Sequence, residues 1–99
     1  MITVRETDYF KEWIRNLNDK VTQSIINARI RRISAGNFGD TKSVGGSVSE
    51  LRINYGSGYR VYFTRRGQEI IILLCGGDKS SQNTDIETAK RIAQNIEEV

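Results

Sequence analysis

Residues 49–79 read SELRINYGSGYRVYFTRRGQEIIILLCGGDK, and this stretch determines the fold. It predicts three strands in succession, Ser49–Asn54, Gly58–Arg65 and Glu69–Cys75, joined by two tight turns. The middle strand alternates from one residue to the next, which is typical of a strand with one buried and one wet face. The third strand is apolar from its second residue onward, which suits a strand covered on both faces. A sharp turn is expected at Gly76–Lys79, where the chain presents polar groups.

Helical patterns lie on both sides of this predicted sheet. A short first strand at Ile2–Arg5 is followed by a helix that Thr7 or Asp8 can cap and by a second helix that ends before Gly36. Thr84–Glu87 matches a capping box and predicts the start of a final helix.

The loop at Asn37–Gly46 is expected to include a short edge strand near Ser43–Val44, and Lys79–Asn83 is expected to be a polar linker. The order of elements predicts an α+β fold in one domain, residues 1–99. A short N-terminal strand and a helical hairpin would pack on a mainly antiparallel sheet of about four strands, with a C-terminal helix.

Charge is concentrated in the middle of the chain. The 99 residues carry a net charge of +3, yet residues 29–66 hold eight basic and two acidic residues, a net charge of +6. Such a segment favours a phosphate-bearing or acidic partner, although solvated surface charge is the alternative. With no histidine and only Cys75, we expect no metal site and no cofactor. We find no signal peptide or membrane span, so a cytoplasmic protein without a membrane partner is expected.

Five motifs follow one another along the second half of the chain: Gly58-Tyr59-Arg60-Val61-Tyr62-Phe63, Ile72-Leu73-Leu74, Gly76–Gln82, Asp85-Ile86 and Ala89-Lys90. Together they resemble the RelE/ParE toxin superfamily, and within it the addiction module killer proteins related to HigB. The resemblance implies a type II toxin that is neutralised by a cognate antitoxin, usually of the helix-turn-helix type, with DNA contacted only through that complex. Many members cleave messenger RNA on the ribosome without a metal ion, whereas the ParE arm inhibits DNA gyrase.

The resemblance also assigns site residues. The strand arginine of the family falls on Arg60, the basic residue after the last strand falls on Lys79, and that of the preceding strand falls on or near Arg52. The late tyrosine of RelE has no counterpart, since this region offers Asp85, and the histidines of HigB relatives are absent. The general acid and base therefore stay open.

Ribonuclease chemistry of this type is the attack of a 2′-hydroxyl on its own phosphate. Arg60 and Lys79 would stabilise the developing negative charge. Asp78 or Glu50 would serve as base if its pKa were raised, and Lys79 if its pKa were lowered. The predicted catalytic residues are thus Arg60, Lys79 and Asp78, and the predicted RNA- or phosphate-binding residues are Lys42, Arg52, Tyr62, Arg65 and Gln82, with Tyr62 stacking on a base.

Each of these residues also has a purely structural interpretation. Arg60 can pair with Glu50 across adjacent strands, Lys79 can be a turn residue, and Gln82 can cap the final helix. A ParE-like inhibitor of gyrase and a plain RNA-binding domain are therefore the alternatives to a ribosome-dependent endoribonuclease.

Overall fold

The computed structural model describes residues 2–96, which form five strands, three α-helices and one short 3-10 helix. In chain order these are β1 (Thr3–Glu6), α1 (Asp8–Arg15), α2 (Lys20–Ser34), β2 (Thr41–Gly45), β3 (Val48–Ile53), β4 (Tyr59–Arg66), β5 (Ile70–Asp78), the 3-10 helix Lys79–Ser81 and α3 (Gln82–Asn95).

The strands form one sheet in the order β1-β5-β4-β3-β2. Only the β1–β5 pair is parallel, and the other three pairs are antiparallel. The predicted α+β class and mainly antiparallel sheet are therefore confirmed. The sheet has five strands rather than about four, because the expected edge strand near Ser43–Val44 is a full strand, β2.

Helices cover the sheet on both faces. The first face packs against α1 and α2 through a cluster of buried side chains that includes Phe10, Ile26, Ile33, Leu51, Val61, Phe63, Ile71 and Leu73. The second face packs against α3 through another cluster, which includes Val48, Tyr62, Ile72, Leu74, Ala89 and Ile92. Because β5 contributes to both clusters, its uniformly apolar sequence is explained by burial on both sides, as predicted.

The helical hairpin begins as the sequence indicates. The Thr7 hydroxyl accepts a hydrogen bond from the Phe10 N–H at 3.2 Å, and the Asp19 carboxylate accepts one from the Val21 N–H at 2.9 Å. Gly36 adopts φ +91° just beyond α2, a backbone conformation that favours glycine. The predicted cap of α1 at Thr7 and the predicted end of α2 before Gly36 are confirmed.

The turn predicted at Gly76–Lys79 is wrong, because β5 continues through Asp78. Both glycines allow a close approach of other elements. A Cβ atom on Gly76 would overlap the Trp13 ring of α1, and one on Gly77 would overlap the Asp85 carboxylate of α3. The two glycines therefore leave space for these neighbouring side chains and do not form a turn.

The start of the final helix is also displaced from its prediction. Helix α3 begins at Gln82, so Thr84 lies inside its first turn and the capping box is not formed. The expected linker Lys79–Asn83 is instead helical. Asp78 caps the 3-10 helix by accepting a hydrogen bond from the Ser80 N–H at 2.8 Å, which starts the helical path early. In the described part of the chain no helix is both long and apolar enough to cross a membrane.

Candidate functional site

Two arginines face each other across the β3–β4 hairpin. Arg52 is directly opposite Arg60. The next pair along the hairpin, Ile53 with Tyr59, is the last pair before the connecting loop. Opposed residues of antiparallel strands project from the same face. Tyr62, two residues along β4, packs in the α3 cluster, so both arginines lie on the face that α3 covers. We call Arg52 and Arg60 the arginine pair.

A buried carboxylate lies beside this pair. The Glu50 side chain is 2% exposed, and three donor groups converge on its Oε2 atom. The Gln82 side-chain amide donates to Oε2 at 2.8 Å and the Tyr62 hydroxyl donates at 3.3 Å, while the Arg60 Nε lies 3.7 Å away. We call these four residues, Glu50, Arg60, Tyr62 and Gln82, the Glu50 cluster. It connects β3, β4 and the first turn of α3.

Arg60 is mostly enclosed, with 12% of its side chain exposed. Its Nε is buried and has no hydrogen-bond partner, because 3.7 Å is too long for a hydrogen bond. Charge attraction alone therefore holds this end of the guanidinium to Glu50. An ion pair with Glu50 across adjacent strands is the structural interpretation of Arg60 that the sequence suggests, and the structure contains this ion pair.

Arg52 is paired in a different way. Its guanidinium donates to the Asp40 carboxylate at 2.9 Å and 3.3 Å, and both side chains are about 40% exposed (38% and 41%). Asp40 lies in the loop just before β2. The ion pair is thus accessible to water, in contrast to the enclosed pair of Arg60 and Glu50.

Lys79 lies at the same end of the sheet as Arg60. Its backbone N–H donates to the Gly58 carbonyl at 2.9 Å, which extends the β4–β5 pairing past Tyr59 and Asp78. The Lys79 side chain is exposed, and its stem packs closely over Gly58, which has φ +86°. A side chain on Gly58 would crowd that stem, so the glycine both turns the chain and makes room for Lys79.

The structure changes the interpretation of two predicted site residues. Tyr62 is fully buried under α3, so its ring is not available for base stacking, which corrects the prediction. Burial, and after it the negative charge of Glu50, raises the pKa of the Tyr62 hydroxyl. Hydrogen bonds from Ser80 lower the pKa of Asp78, so this carboxylate does not meet the condition set for a general base.

The remaining candidates are divided between the two faces. Lys42 is opposite Glu50 in the β2–β3 register and is exposed on the face of the arginine pair. Gln82 belongs to the Glu50 cluster rather than to an open surface. Arg65 lies on the other face, where its guanidinium stacks 5.1 Å from the centre of the Phe38 ring. The structure therefore does not bring Arg65 to the arginine pair.

Sequence reasoning did not place two carboxylates at this site. In the sequence, Asp40 is one of two acidic residues in a basic segment, and Asp85 lies in the region where RelE has its late tyrosine. The Asp85 carboxylate lies over Gly77, the β5 residue opposite Arg60, and accepts a hydrogen bond from the Ser81 hydroxyl at 2.5 Å. The sequence offers one signal for Asp85, which is Gly77 itself. A strand residue without a side chain, opposite Arg60, leaves room for a side chain from another element.

Comparison with known proteins gives a family. A model described as "Phage derived protein Gp49-like (DUF891)" matches residues 12–97. The chain belongs to this family. It is also 47% identical over 95 residues to an uncharacterized protein of Haemophilus influenzae, and the match covers 96% of each chain.

Among solved structures, this Gp49-like protein resembles the E. coli toxin RelE, a mutant solved in the free state. The TM-score is 0.66 at 15% sequence identity, over 92% of this chain and 97% of RelE, so the similarity is one of fold. Together, the family and the fold support the RelE/ParE-like toxin superfamily that the sequence motifs indicated. The HigB-like branch stays a prediction. Within residues 2–96 there is no cluster of three or more acidic, cysteine or histidine side chains that could hold a metal ion.

Proposed function

We propose that this Gp49-like protein is the toxin of a type II toxin–antitoxin pair and that it cleaves messenger RNA on the ribosome without a metal ion. The family and the RelE-like fold support the first part. The observation that carries the second part is the arginine pair, in which two guanidinium groups leave directly opposed positions of two paired strands. Like charges at such positions repel each other unless anions neutralise them, and here a carboxylate pairs with each guanidinium. We propose that an RNA phosphate binds to the same two groups.

A phosphodiester of RNA fits this chemistry. A guanidinium can hold two phosphate oxygens at once and stays protonated throughout, so it stabilises charge without exchanging protons. In the proposed reaction the 2′-oxygen forms a bond to phosphorus and the 5′-oxygen leaves. The extra negative charge of the transition state falls on the oxygens held by Arg52 and Arg60. Loss of one such donor typically lowers the rate by about 10² to 10³.

Proton transfer must use other groups. Asp78 accepts hydrogen bonds from Ser80 that lower its pKa, and the Glu50 carboxylate is enclosed by its cluster. We propose Lys79 and Asp85 for this role, because Lys79 bonds to Gly58 beside the start of β4 and the Asp85 carboxylate lies over Gly77, the residue opposite Arg60. Since neither is a histidine, we propose that the ribosome supplies much of the catalysis by orienting the message.

The antitoxin would bind the face that carries the arginine pair. We propose a helix-turn-helix antitoxin that contacts promoter DNA, so that the toxin reaches DNA only through the complex. Lys42 and Lys79 are exposed on or beside this face and give it a positive rim that suits an acidic antitoxin segment. The cytoplasm, where ribosomes and message are found, is the compartment that this function requires.

One observation favours the second candidate, a ParE-like inhibitor of gyrase. The Glu50 cluster keeps Arg60 88% covered, which suits a structural arginine at least as well as a catalytic one. Such a protein would stop growth by binding its target and would leave messenger RNA intact.

Inducible expression separates the two functions. Primer extension on cellular transcripts is expected to show new 5′ ends soon after growth stops. Arg52→Ala and Arg60→Ala should lose these ends and the arrest, while Arg15→Ala serves as the control, because Arg15 forms an exposed ion pair on α1. Growth arrest with intact message and an induced DNA-damage response would instead support gyrase inhibition. Retained binding of the antitoxin by Arg60→Ala would show that this variant is folded.

A further inference from the structure

We infer that the arginine pair is an anion site that the protein keeps closed with its own carboxylates, each of which pairs with a guanidinium that contacts phosphate when RNA binds. The inference rests on the proposed function in that it takes RNA phosphate as the anion. It adds a regulation of that site, since RNA must compete with Glu50 and Asp40 for the two guanidinium groups.

The ion pairs of the described chain support this competition. Residues 2–96 contain three ion pairs, and two of them neutralise the arginine pair, one carboxylate to each guanidinium. The third, between Arg15 and Glu12, lies on the exposed surface of α1. Repulsion between Arg52 and Arg60 is thus cancelled inside the molecule, which allows the two residues to remain opposed in the absence of RNA.

The two carboxylates differ in how they can release an arginine. Asp40 is in a loop and its pair with Arg52 is exposed to water, so a phosphate can replace it readily. Glu50 cannot move away, because the Gln82 amide and the Tyr62 hydroxyl hold the same Oε2 atom inside the fold. Opening the site therefore means that Arg60 turns away from Glu50 toward the RNA.

The geometry of Arg60 favours this movement. Its Nε donor is buried and unsatisfied at 3.7 Å from Glu50, so the closed state leaves a hydrogen bond unmade. A phosphate oxygen at the pair would accept that bond and add a charge-assisted contact. When Arg60 turns toward the RNA, it loses its attraction to Glu50. The negative charge of Glu50 therefore lowers the affinity of the site for RNA.

Binding of an uncleavable RNA tests the inference. The probe is a 2′-O-methyl oligoribonucleotide labelled with a fluorophore, and affinity is measured by anisotropy at several salt concentrations. Glu50→Gln keeps the shape of the side chain and removes its charge, so it is expected to bind about tenfold more tightly. The slope of the logarithm of the binding constant against the logarithm of the salt concentration should also become more negative by about 0.7. That is the value for one more phosphate contact on single-stranded nucleic acid.

Glu12→Gln is the matched control, because it makes the same change of net charge at the exposed pair on α1. Asp40→Asn is expected to tighten binding about twofold, less than Glu50→Gln, since its ion pair is already screened by water. The double variant Glu50→Gln/Arg60→Met should lose the gain. The inference is overturned if Glu50→Gln binds no better than Glu12→Gln while thermal melting shows an intact fold. If Glu50→Gln does not fold, equal affinities of Asp40→Asn and Glu12→Gln overturn it.

These results are independent of cleavage. Tighter binding by Glu50→Gln, with no variant able to cut message on ribosomes, would support the closed anion site and contradict the proposed nuclease. Cleavage by the natural protein, with no gain in affinity from Glu50→Gln, would support the nuclease and contradict the closed site.

Discussion

Arg60→Met removes the counter-charge of a carboxylate that is almost fully buried. The Glu50 side chain is 2% exposed, so without its cation the carboxylate would be buried and uncompensated, which costs free energy. Breaking a buried ion pair from one side typically costs about 3 to 5 kcal/mol. We expect about 3 kcal/mol here, the lower end, because Gln82 and Tyr62 still donate hydrogen bonds to Oε2.

The double variant shows whether this loss comes from the pair. Glu50→Gln/Arg60→Met leaves no buried charge, so it should be at least about 2 kcal/mol more stable than the sum of the two single changes implies. Stability is measured by urea unfolding followed by circular dichroism. For a chain of 99 residues, about 3 kcal/mol corresponds to a fall in melting temperature of roughly 12 to 24 °C.

The exposed pair on α1 is the control. Arg15→Met should change the free energy of unfolding by less than about 0.5 kcal/mol, since such pairs are screened by water. Additive effects of Glu50→Gln and Arg60→Met would contradict this prediction, because they would show that Glu50 and Arg60 do not interact in the folded protein.

Three further predictions concern β5 and the residues around it. Gly76→Ala would push a methyl group into the Trp13 ring, so urea unfolding should show a loss of about 2 kcal/mol. Burial raises the pKa of the Cys75 thiol to about 12, so at pH 8 the folded protein should react with iodoacetamide at least about 100-fold more slowly than the urea-unfolded chain. Hydrogen bonds from Ser80 lower the pKa of Asp78, so this carboxylate stabilises the fold above its unfolded pKa and loses that effect as pH falls through its folded pKa. The stability difference between the natural protein and Asp78→Asn should therefore shrink below about pH 4, and a difference that stays constant from pH 7 to pH 3 would contradict the assignment.

Much of the sheet could be predicted because its signals are local. Alternation along β4 and the uninterrupted apolar run of β5 give both strands, and the run also gives the burial of β5. The predicted wet face of β4 is wrong, because β4 is buried on both faces from Val61 to Thr64. The opposition of Arg52 and Arg60, in contrast, depends on the register of the β3–β4 hairpin, in which Ile53 pairs with Tyr59. What was lacking was the register, which turns separate arginines into a pair.

The failed predictions depend on contacts between distant segments. Gly76 and Gly77 are typical turn residues, yet both lie in a strand because Trp13 and Asp85 need the space of their missing side chains. The burial of Tyr62 follows from α3 packing across the sheet, which alternation along one strand cannot reveal. Local patterns give the elements, whereas the environment of a site depends on which elements meet there.

The most direct test of the proposed cleavage is a reconstituted reaction with purified protein, ribosomes and a defined message that is bound in the decoding site. We expect a single cut in the ribosome-bound message, no cut in free RNA, and no cut when the residue before the scissile phosphate carries 2′-hydrogen in place of the 2′-hydroxyl. Arg60→Met should abolish the cut. An uncut message in the presence of excess natural protein, or an equal cut by Arg60→Met, would contradict the claim that the arginine pair cleaves RNA.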